Sequence, residues 1–529
     1  MAKLMANAPA SKLVSAAEAV NCIQSGSVLA VDGFVGSVCP EELLTAVEQR
    51  FLETGQPANL TVWASTGSGD TRGKGLDRLH HDGIVRRLVV SYLNLNRKLQ
   101  KRLVDNEIGG FLLPLGVMVQ LYREIAGGRP GLITHVGLGT FVDPRHGGGR
   151  VNTRTEGEIV KLVELEGQEW LLYPSFKPDA GLLRGTTADE DGNITMEREI
   201  ATFQGPSFAQ AVHNSGGTVI AQVERVVPRG TLHPRRVVIP GHLVDRVVIS
   251  KPENHKQTFQ VAYNPVFAGD EKADLTTIEP MTLDIRKLIG RRAAMELRRG
   301  DVVNLGVGIP EFVATVAREE GAGDLFTLTV ESGATGGFPA YGLSFGAAIN
   351  ATSVIDHTYQ FDFYDGGGLD ITFVGLAQMD RSGNVNVSRL ANRVPGIGGF
   401  FNVTQSADRV VFCGQFTAGD TDIVIEDGGL IIRKDGDVTK FVQAVEQITY
   451  NGAVGLGRGQ QVLAVTERAV FRIEVDGPVL IEIAPGADLD RDILGKMAFR
   501  PRIAKDLREI DPALFLPGNI GLSELIRLA

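Results

Sequence analysis

The chain has 529 residues, 43% of them hydrophobic and 22% charged, with a formal net charge of −10. At roughly 100–200 residues per domain, that length excludes a single small fold. The acidic balance and the lack of any Lys/Arg-rich block exclude a general nucleic-acid binder, and 64 glycines without a G-x-y period exclude collagen.

Taken in chain order, short β-branched runs alternate with helical patterns. Ser27–Val31 reads as a strand, and Pro40–Phe51 follows with apolar residues at helical spacing and a proline near the helix start. Arg87–Ser91, Gly217–Ala221 and Arg246–Ser250 are further buried strands by composition. Phe267–Pro280 is polar and acidic and breaks the pattern. Asp284–Arg299 is predicted helical, with Ile285, Leu288, Ile289, Ala293 and Leu297 on one stripe. Strands follow at Asp301–Leu305, Phe326–Val330, Asp370–Val374 and Arg409–Cys413. This alternation predicts an α/β fold with mainly parallel sheets.

The two halves resemble each other. Gly26-Ser-Val-Leu-Ala leads to a turn at Gly36 followed by Pro40-Glu41, and Gly300-Asp-Val-Val-Asn leads to Gly306 followed by Pro310-Glu311. Asp189-Glu-Asp-Gly-Asn193 matches Asp380-Arg-Ser-Gly-Asn384, and both read as hairpin turns with a glycine at positive φ. The expected organisation is two similar open α/β domains fused in one chain: 1–266, a linker at 267–283, and 284–529.

The three cysteines, Cys22, Cys39 and Cys413, are far apart and imply neither disulfides nor a metal knuckle, which suits a reducing cytoplasm. The start of the chain, from Met1 to Lys3 onward, lacks a signal peptide's apolar core. The longest apolar stretch, Phe111–Tyr122, is about 12 residues long and contains Pro114, too short to cross a bilayer.

Most familiar catalytic motifs fail. Gly67–Gly75 resembles a P-loop, but Ser68 replaces a required glycine and Gly75 a required Ser/Thr, so it reads as a solvated flexible loop. Arg72 and Lys74 within it are the side chains suited to a ligand phosphate. No histidine has zinc-ligand spacing, and the adjacent rings of His80 and His81 are expected to diverge, so no metal is expected. Gly342-Leu-Ser344-Phe-Gly346 matches a nucleophile elbow. Its only downstream histidine is His357, beside Asp356 and too near in sequence to complete a triad, so the segment reads as a small-residue turn.

The strongest site is Thr327-Leu-Thr-Val-Glu331-Ser-Gly-Ala-Thr-Gly-Gly-Phe-Pro339. A strand delivers one carboxylate at its C-terminal end, where open α/β sheets bind ligands. The following glycines permit close approach of a substrate and present amides to an oxyanion.

That Glu-x-Gly-x-x-Gly-Gly-x-Pro run resembles the active-site segment of the family I CoA-transferases, in particular the single-chain acetate/propionate CoA-transferase branch. The similarity extends over Gly33-Phe-Val-Gly36, Gly131–Arg145, Tyr173-Pro-Ser-Phe176, His213–Gly217, Asn304–Pro310, Phe361–Asp370 and Gly396-Ile-Gly-Gly-Phe400. Val330 and Ser332 depart from the family's commoner Ser-Glu-Asn-Gly signature. The resemblance implies a CoA-transferase fold and a ping-pong transfer of CoA from a short-chain acyl-CoA to a free carboxylate. Glu331 would be the nucleophile, Gly36, Gly398 and Gly399 oxyanion donors, and Gln120 a substrate-pocket residue. It further implies no permanently bound cofactor, with CoA and acyl-CoA as substrates. Neither nucleic acid nor membrane would be a partner, and the protein would be a cytoplasmic homo-dimer or tetramer. An acyl-CoA hydrolase using the same glutamate, and a non-catalytic acyl-CoA-binding protein, are the alternatives.

Overall fold

A computed structural model describes residues 11–528. The segment at Met1–Lys3 on which the leader reading rests lies outside the described residues.

Two sheets carry the architecture. The first comprises β1 (Val28–Val31), β2 (Leu60–Ala64), β3 (Val85–Val90), β4 (Gly109–Leu112), β5 (Ala180–Arg184), β6 (Thr218–Val223) and β7 (Arg246–Ile249). Their order is β7-β6-β5-β1-β2-β3-β4, and every pairing is parallel. The central strands β2 and β5 are buried along their whole length, as a parallel sheet covered on both faces requires.

The second sheet contains β8 (Val302–Leu305), β9 (Thr327–Thr329), β10 (Ala334–Thr335), β11 (Ser353–Val354), β12 (Ile371–Gly375), β13 (Arg409–Cys413) and β14 (Gln461–Val465). It continues through β15 (Ala469–Glu474), β16 (Gly477–Ile483) and β17 (Arg502–Glu509), in the order β11-β10-β9-β8-β12-β13-β14-β15-β16-β17. Strands β9, β8, β12, β13 and β14 are parallel, whereas β10 and β11 on one side and β15 and β16 on the other extend the sheet antiparallel. The fold is thus α/β with large, mainly parallel sheets.

The internal repeat is visible in topology and register. The order β7-β6-β5-β1-β2 reappears as β14-β13-β12-β8-β9. Val28 lies opposite Thr61 and Val302 opposite Thr327; Leu29 lies opposite Ala180 and Val303 opposite Ile371. Asp32 N–H donates to the Leu182 carbonyl at 2.9 Å, and Gly306 N–H donates to the matching Phe373 carbonyl at 2.7 Å. The Asp-x-x-Gly-Asn hairpins are also alike. Asp189 Oδ1 accepts from the Asp191 and Asn193 amides, and Asp380 Oδ1 from those of Ser382 and Asn384. Gly192 and Gly383 have φ of 83° and 77°, where a side chain would be strained.

The helices follow local chemistry. Helix α1 (Glu41–Thr54) starts after Pro40 and ends on Gly55, whose φ of 72° closes the last turn onto the Phe51 carbonyl. The apolar stretch Phe111–Tyr122 divides at Pro114: its start is the end of β4 and its remainder opens helix α2 (Leu115–Ala126). Helices α3 (Gly205–Asn214) and α4 (Ile285–Ala294) follow, and Asp284 caps α4 through the amides of Arg286 and Lys287. Helix α4 stops five residues short of the predicted Arg299. There the Arg298 amide is captured by Asp301 and Leu297 turns into the core. Helices α5 (His357–Asp365) and α6 (Phe400–Gln405) flank the second sheet.

Residues 267–283 hold only short turns, and the Ala273 backbone is pinned in both directions by the Asn350 amide. The largest apolar cluster is continuous across the two sheets, running from Ala19–Val248 into Ala340–Ile493. A second cluster packs α4 and the C-terminal helix onto the other face of the second sheet. Among the described residues no helix is long and apolar enough to cross a membrane.

Candidate active site

Strand β9 ends at Thr329, and the chain reverses within five residues into β10. Glu331 stands at this tip. Gly333, with φ of 106°, makes the reversal, and its N–H donates to the Val330 carbonyl at 2.9 Å. A side chain at 333 would collide with the Ile355 carbonyl, so glycine is required there. Below the tip, the Thr329 hydroxyl donates to the Val303 carbonyl and accepts from Tyr364 Oη at 3.0 Å, anchoring the strand that presents the carboxylate.

The Glu331 side chain enters a cavity of about 290 Å³ between the two sheets. The walls include residues at or just past the carboxyl ends of β1, β2, β3, β8 and β12, the end at which parallel sheets bind ligands. Phe34, Leu115, Phe345, Val374 and Phe400 make the cavity apolar, and no Lys, Arg, His or Asp lines it among the described residues. With no cation or hydrogen bond to offset it, burial pushes the Glu331 carboxyl up to about 7. Gly399 lies directly against it: a Cβ there would stand 2.7 Å from the Glu331 carboxyl carbon.

A second cavity, of about 540 Å³, shares Val35, Tyr92, Asn94, Val307 and Phe345 with the first. Arg72 lines it, and Lys74 lies 5.9 Å over the ring of Phe259 on its wall. Both candidate phosphate contacts thus flank an extension of the Glu331 cavity. Their loop is more ordered than expected: the Asp70 carboxylate accepts from the Arg72 and Lys74 amides, and the Gly75 amide donates to Glu41.

The other predicted site residues separate. Gly398 lines the Glu331 cavity, but its N–H donates to the Ser91 carbonyl at 3.0 Å and is already engaged. The Gly399 N–H donates to no backbone carbonyl among the described residues. Gly36 does not line the cavity, although its neighbour Val35 does. Its lack of a side chain is explained by the Leu343 carbonyl, which would stand 2.3 Å from a Cβ. Gln120 is not brought to the cavity: α2 turns it toward α5, where its amide donates to Asp362 and Asp365 at 3.1 and 2.9 Å.

Two motif readings resolve differently. Ser344 Oγ pairs with Thr258 Oγ1 at 3.0 Å, and His357 Nδ1 lies on Gln204 Oε1, so no triad forms. The rings of His80 and His81 do not diverge: they lie 4.2 Å apart, because the 3-10 helix ends at Leu79 and both stand on the turn after it. With Glu48 they form a group whose ligand atoms all lie within 4.8 Å. Glu48 is already held by Arg78 at 2.9 Å and by His81 at 2.8 Å, and the group lies outside the Glu331 cavity. Thr66, Tyr92 and Asn94 were not identified from the sequence as cavity residues. Their position just beyond β2 and β3 is the signal that marks them.

Comparison with known proteins agrees with this picture. Residues 13–250 match the family model for coenzyme A transferase. The chain is 47% identical to caffeate CoA-transferase of Acetobacterium woodii, over 97% of this chain and 99% of that one. It is 41% identical to acetate CoA-transferase YdiF of Escherichia coli K12, over 96% of each. The acyl-CoA transferase YdiF of E. coli O157:H7, solved as apoenzyme and as a thioester complex with CoA, matches with a TM-score of 0.92. Identity there is 40%, and 97% of each chain is covered.

Proposed function

Starting from the fact that this chain belongs to the coenzyme A transferase family and is a CoA-transferase, we propose that Glu331 is its covalent nucleophile, moving CoA between a short-chain acyl-CoA and a free monocarboxylate. The carrying observation is the placement of one carboxylate, unpaired, in an apolar cavity at the strand ends.

The Glu331 carboxylate attacks the thioester carbonyl; the C–S bond breaks, leaving an acyl-glutamyl anhydride and CoA thiolate. The thiolate attacks the glutamyl carbonyl and expels the first carboxylate, leaving a glutamyl-CoA thioester. The acceptor carboxylate attacks that thioester to form a second anhydride, and the released thiolate attacks its acyl carbonyl, giving the new acyl-CoA and free Glu331. No net proton is consumed. The apolar walls keep out the water that would hydrolyse either intermediate. The thioester complex with CoA described for the E. coli relative supports this course. Each tetrahedral oxyanion needs a donor; Gly399, against the carboxyl, is the better placed of the predicted amides.

The walls also bear on the substrate. A dicarboxylate would bury its second charge beside Glu331 with no cation to pair it. Acetate, as suggested by the acetate CoA-transferase relative, carries no such second charge, and neither does propionate. A CoA-exchange assay over acetate, propionate, butyrate, lactate and succinate tests this. The expected result is parallel-line ping-pong kinetics with acetate or propionate and poor exchange with succinate. Intersecting lines, or CoA release without acceptor at the rate of transfer, would overturn it; the latter would mark a hydrolase.

A further inference from the structure

The wall opposite Glu331 is strained. Val35, which lines the cavity, has φ of 53°, and Val38 has φ of 52°. Phe203, packed on Phe34 with ring centroids 5.3 Å apart, has φ of 47°. Left-handed backbone at a β-branched or aromatic residue costs on the order of 1–3 kcal/mol and persists only where the surroundings over-determine it. Of the three, Val35 lines the cavity itself and Phe203 packs on Phe34, which also lines it.

What holds them is a buried chain of side chains from three elements. Asp32, just past β1, accepts the Gly33 amide on Oδ1 at 2.9 Å and the Gln204 amide on the same oxygen at 2.6 Å. Gln204, the residue before α3, is fully buried, and its carbonyl oxygen lies 2.9 Å from His357 Nδ1. Because the Gln204 nitrogen is turned to Asp32, its oxygen must accept, and His357 carries its proton on Nδ1. The His357 ring, 0% exposed, stands edge-on to Phe34 at 5.3 Å and to Phe203 at 5.5 Å. Thr66 closes the wall from the other side: its hydroxyl donates to the Gly33 carbonyl at 3.0 Å and accepts the Val35 amide at 3.3 Å.

We propose that Asp32, Gln204 and His357 act as a positioning chain that holds the strained Gly33–Val38 segment, whose Phe34 and Val35 line the Glu331 cavity. The chain joins the two sheets, since His357 comes from beyond β11 and its partners from the first sheet. It touches no reacting atom; it acts through Phe34 and Val35. The proposal rests on the reading that the reaction takes place in the Glu331 cavity. Asp32 Oδ2 and His357 Nε2 have no partner among the described residues, so the groups are retained at a desolvation penalty that packing alone does not explain.

The test compares Gln204→Met, Asp32→Ala and Asp32→Asn in the full chain. Gln204→Met keeps the volume and removes both hydrogen bonds; Asp32→Asn keeps an oxygen that accepts both. Gln204→Met and Asp32→Ala should lower kcat/KM for acyl-CoA roughly 10- to 100-fold per folded enzyme. Amide hydrogen exchange at residues 33–38 should speed up in both. Asp32→Asn should restore most of the activity and the protection. Unchanged exchange at 33–38 in folded Gln204→Met, or Asp32→Asn as impaired as Asp32→Ala, would overturn the proposal. If Asp32→Ala does not fold, Gln204→Met against Asp32→Asn decides alone. If the wild-type protein transfers no CoA, the functional reading fails, and the exchange data still decide whether the chain holds the wall.

Discussion

At the end of β2 stands Ser65; at the end of β9, in the same register, stands Glu331. The surroundings differ as sharply as the residues. Where the second half has Gly306, the first has Asp32, with the same backbone bond to the neighbouring strand. Where Gly399 precedes α6, Gln204 precedes α3, which is ten residues long against six. In the first half these side chains meet: Gln204 donates to Asp32 and lies 3.5 Å from Ser65 Oγ. In the second half the two glycines leave space, and the carboxylate stands alone in it. One scaffold thus yields a filled, hydrogen-bonded strand end and an open, reactive one, and three side-chain positions mark the difference.

The largest effect expected from breaking this contrast is at Glu331. Glu331→Gln should lower CoA transfer more than about a thousandfold, because no neighbouring group can replace the nucleophile. Steady-state exchange measures this. Gly399→Ala should cost roughly a hundredfold in kcat, since its methyl group would occupy the carboxyl's place. Gly205→Ala, in the corresponding region of the first half, would meet its nearest atom at an ordinary 3.5 Å. The same assay should separate the two.

The pH dependence sharpens the comparison further. Burial holds the Glu331 carboxyl up to about 7, and the attacking form is the carboxylate. Below that value kcat/KM should therefore rise about tenfold per pH unit and level off above it. A profile flat between pH 5 and 8 would contradict the assignment. The same shift acts on stability. A carboxyl raised from 4.5 to about 7 favours the protonated folded state, so stability falls as pH climbs from the first value to the second and the loss is complete above it. Glu331→Gln should accordingly be more stable than the native protein at pH 8, by roughly 1–3 kcal/mol in urea denaturation, and no more stable at pH 4.

The smallest difference should be between the hairpins, where the halves agree. Asp189→Ala and Asp380→Ala each remove the same pair of backbone bonds and should each cost about 1–3 kcal/mol. A large inequality between them would show that the shared geometry hides different energetics.

Much of the scaffold was legible in sequence for simple reasons. Runs such as Ser27–Val31 and Arg409–Cys413 are β-branched and buried, and the Asp-x-x-Gly-Asn turns advertise their geometry. Other strands were hidden: β4 opens with Gly109-Gly110, which reads as a loop, and becomes a strand only through its pairing with β3. The additions β15 to β17, antiparallel at β15 and β16 and parallel at β17, depend on partners that no local pattern names. In the site, Glu331 was visible because a strand points at it. Gln204 was not, since one glutamine between loop and helix carries no signal until Asp32 and His357 are seen around it. Gln120 and Gly398 show the converse: a family pattern placed them near the substrate, but hydrogen bonds to Asp362 and Asp365, and to Ser91, already engage them.

The central claim is that the open strand end carries a covalent nucleophile. Incubating the protein with acetyl-CoA in the absence of any acceptor, then digesting and weighing the peptides, tests it most directly. The account predicts a CoA thioester on Glu331, absent from Glu331→Gln and discharged by added carboxylate. A CoA adduct on another residue, or transfer at the native rate in Glu331→Gln, would contradict it.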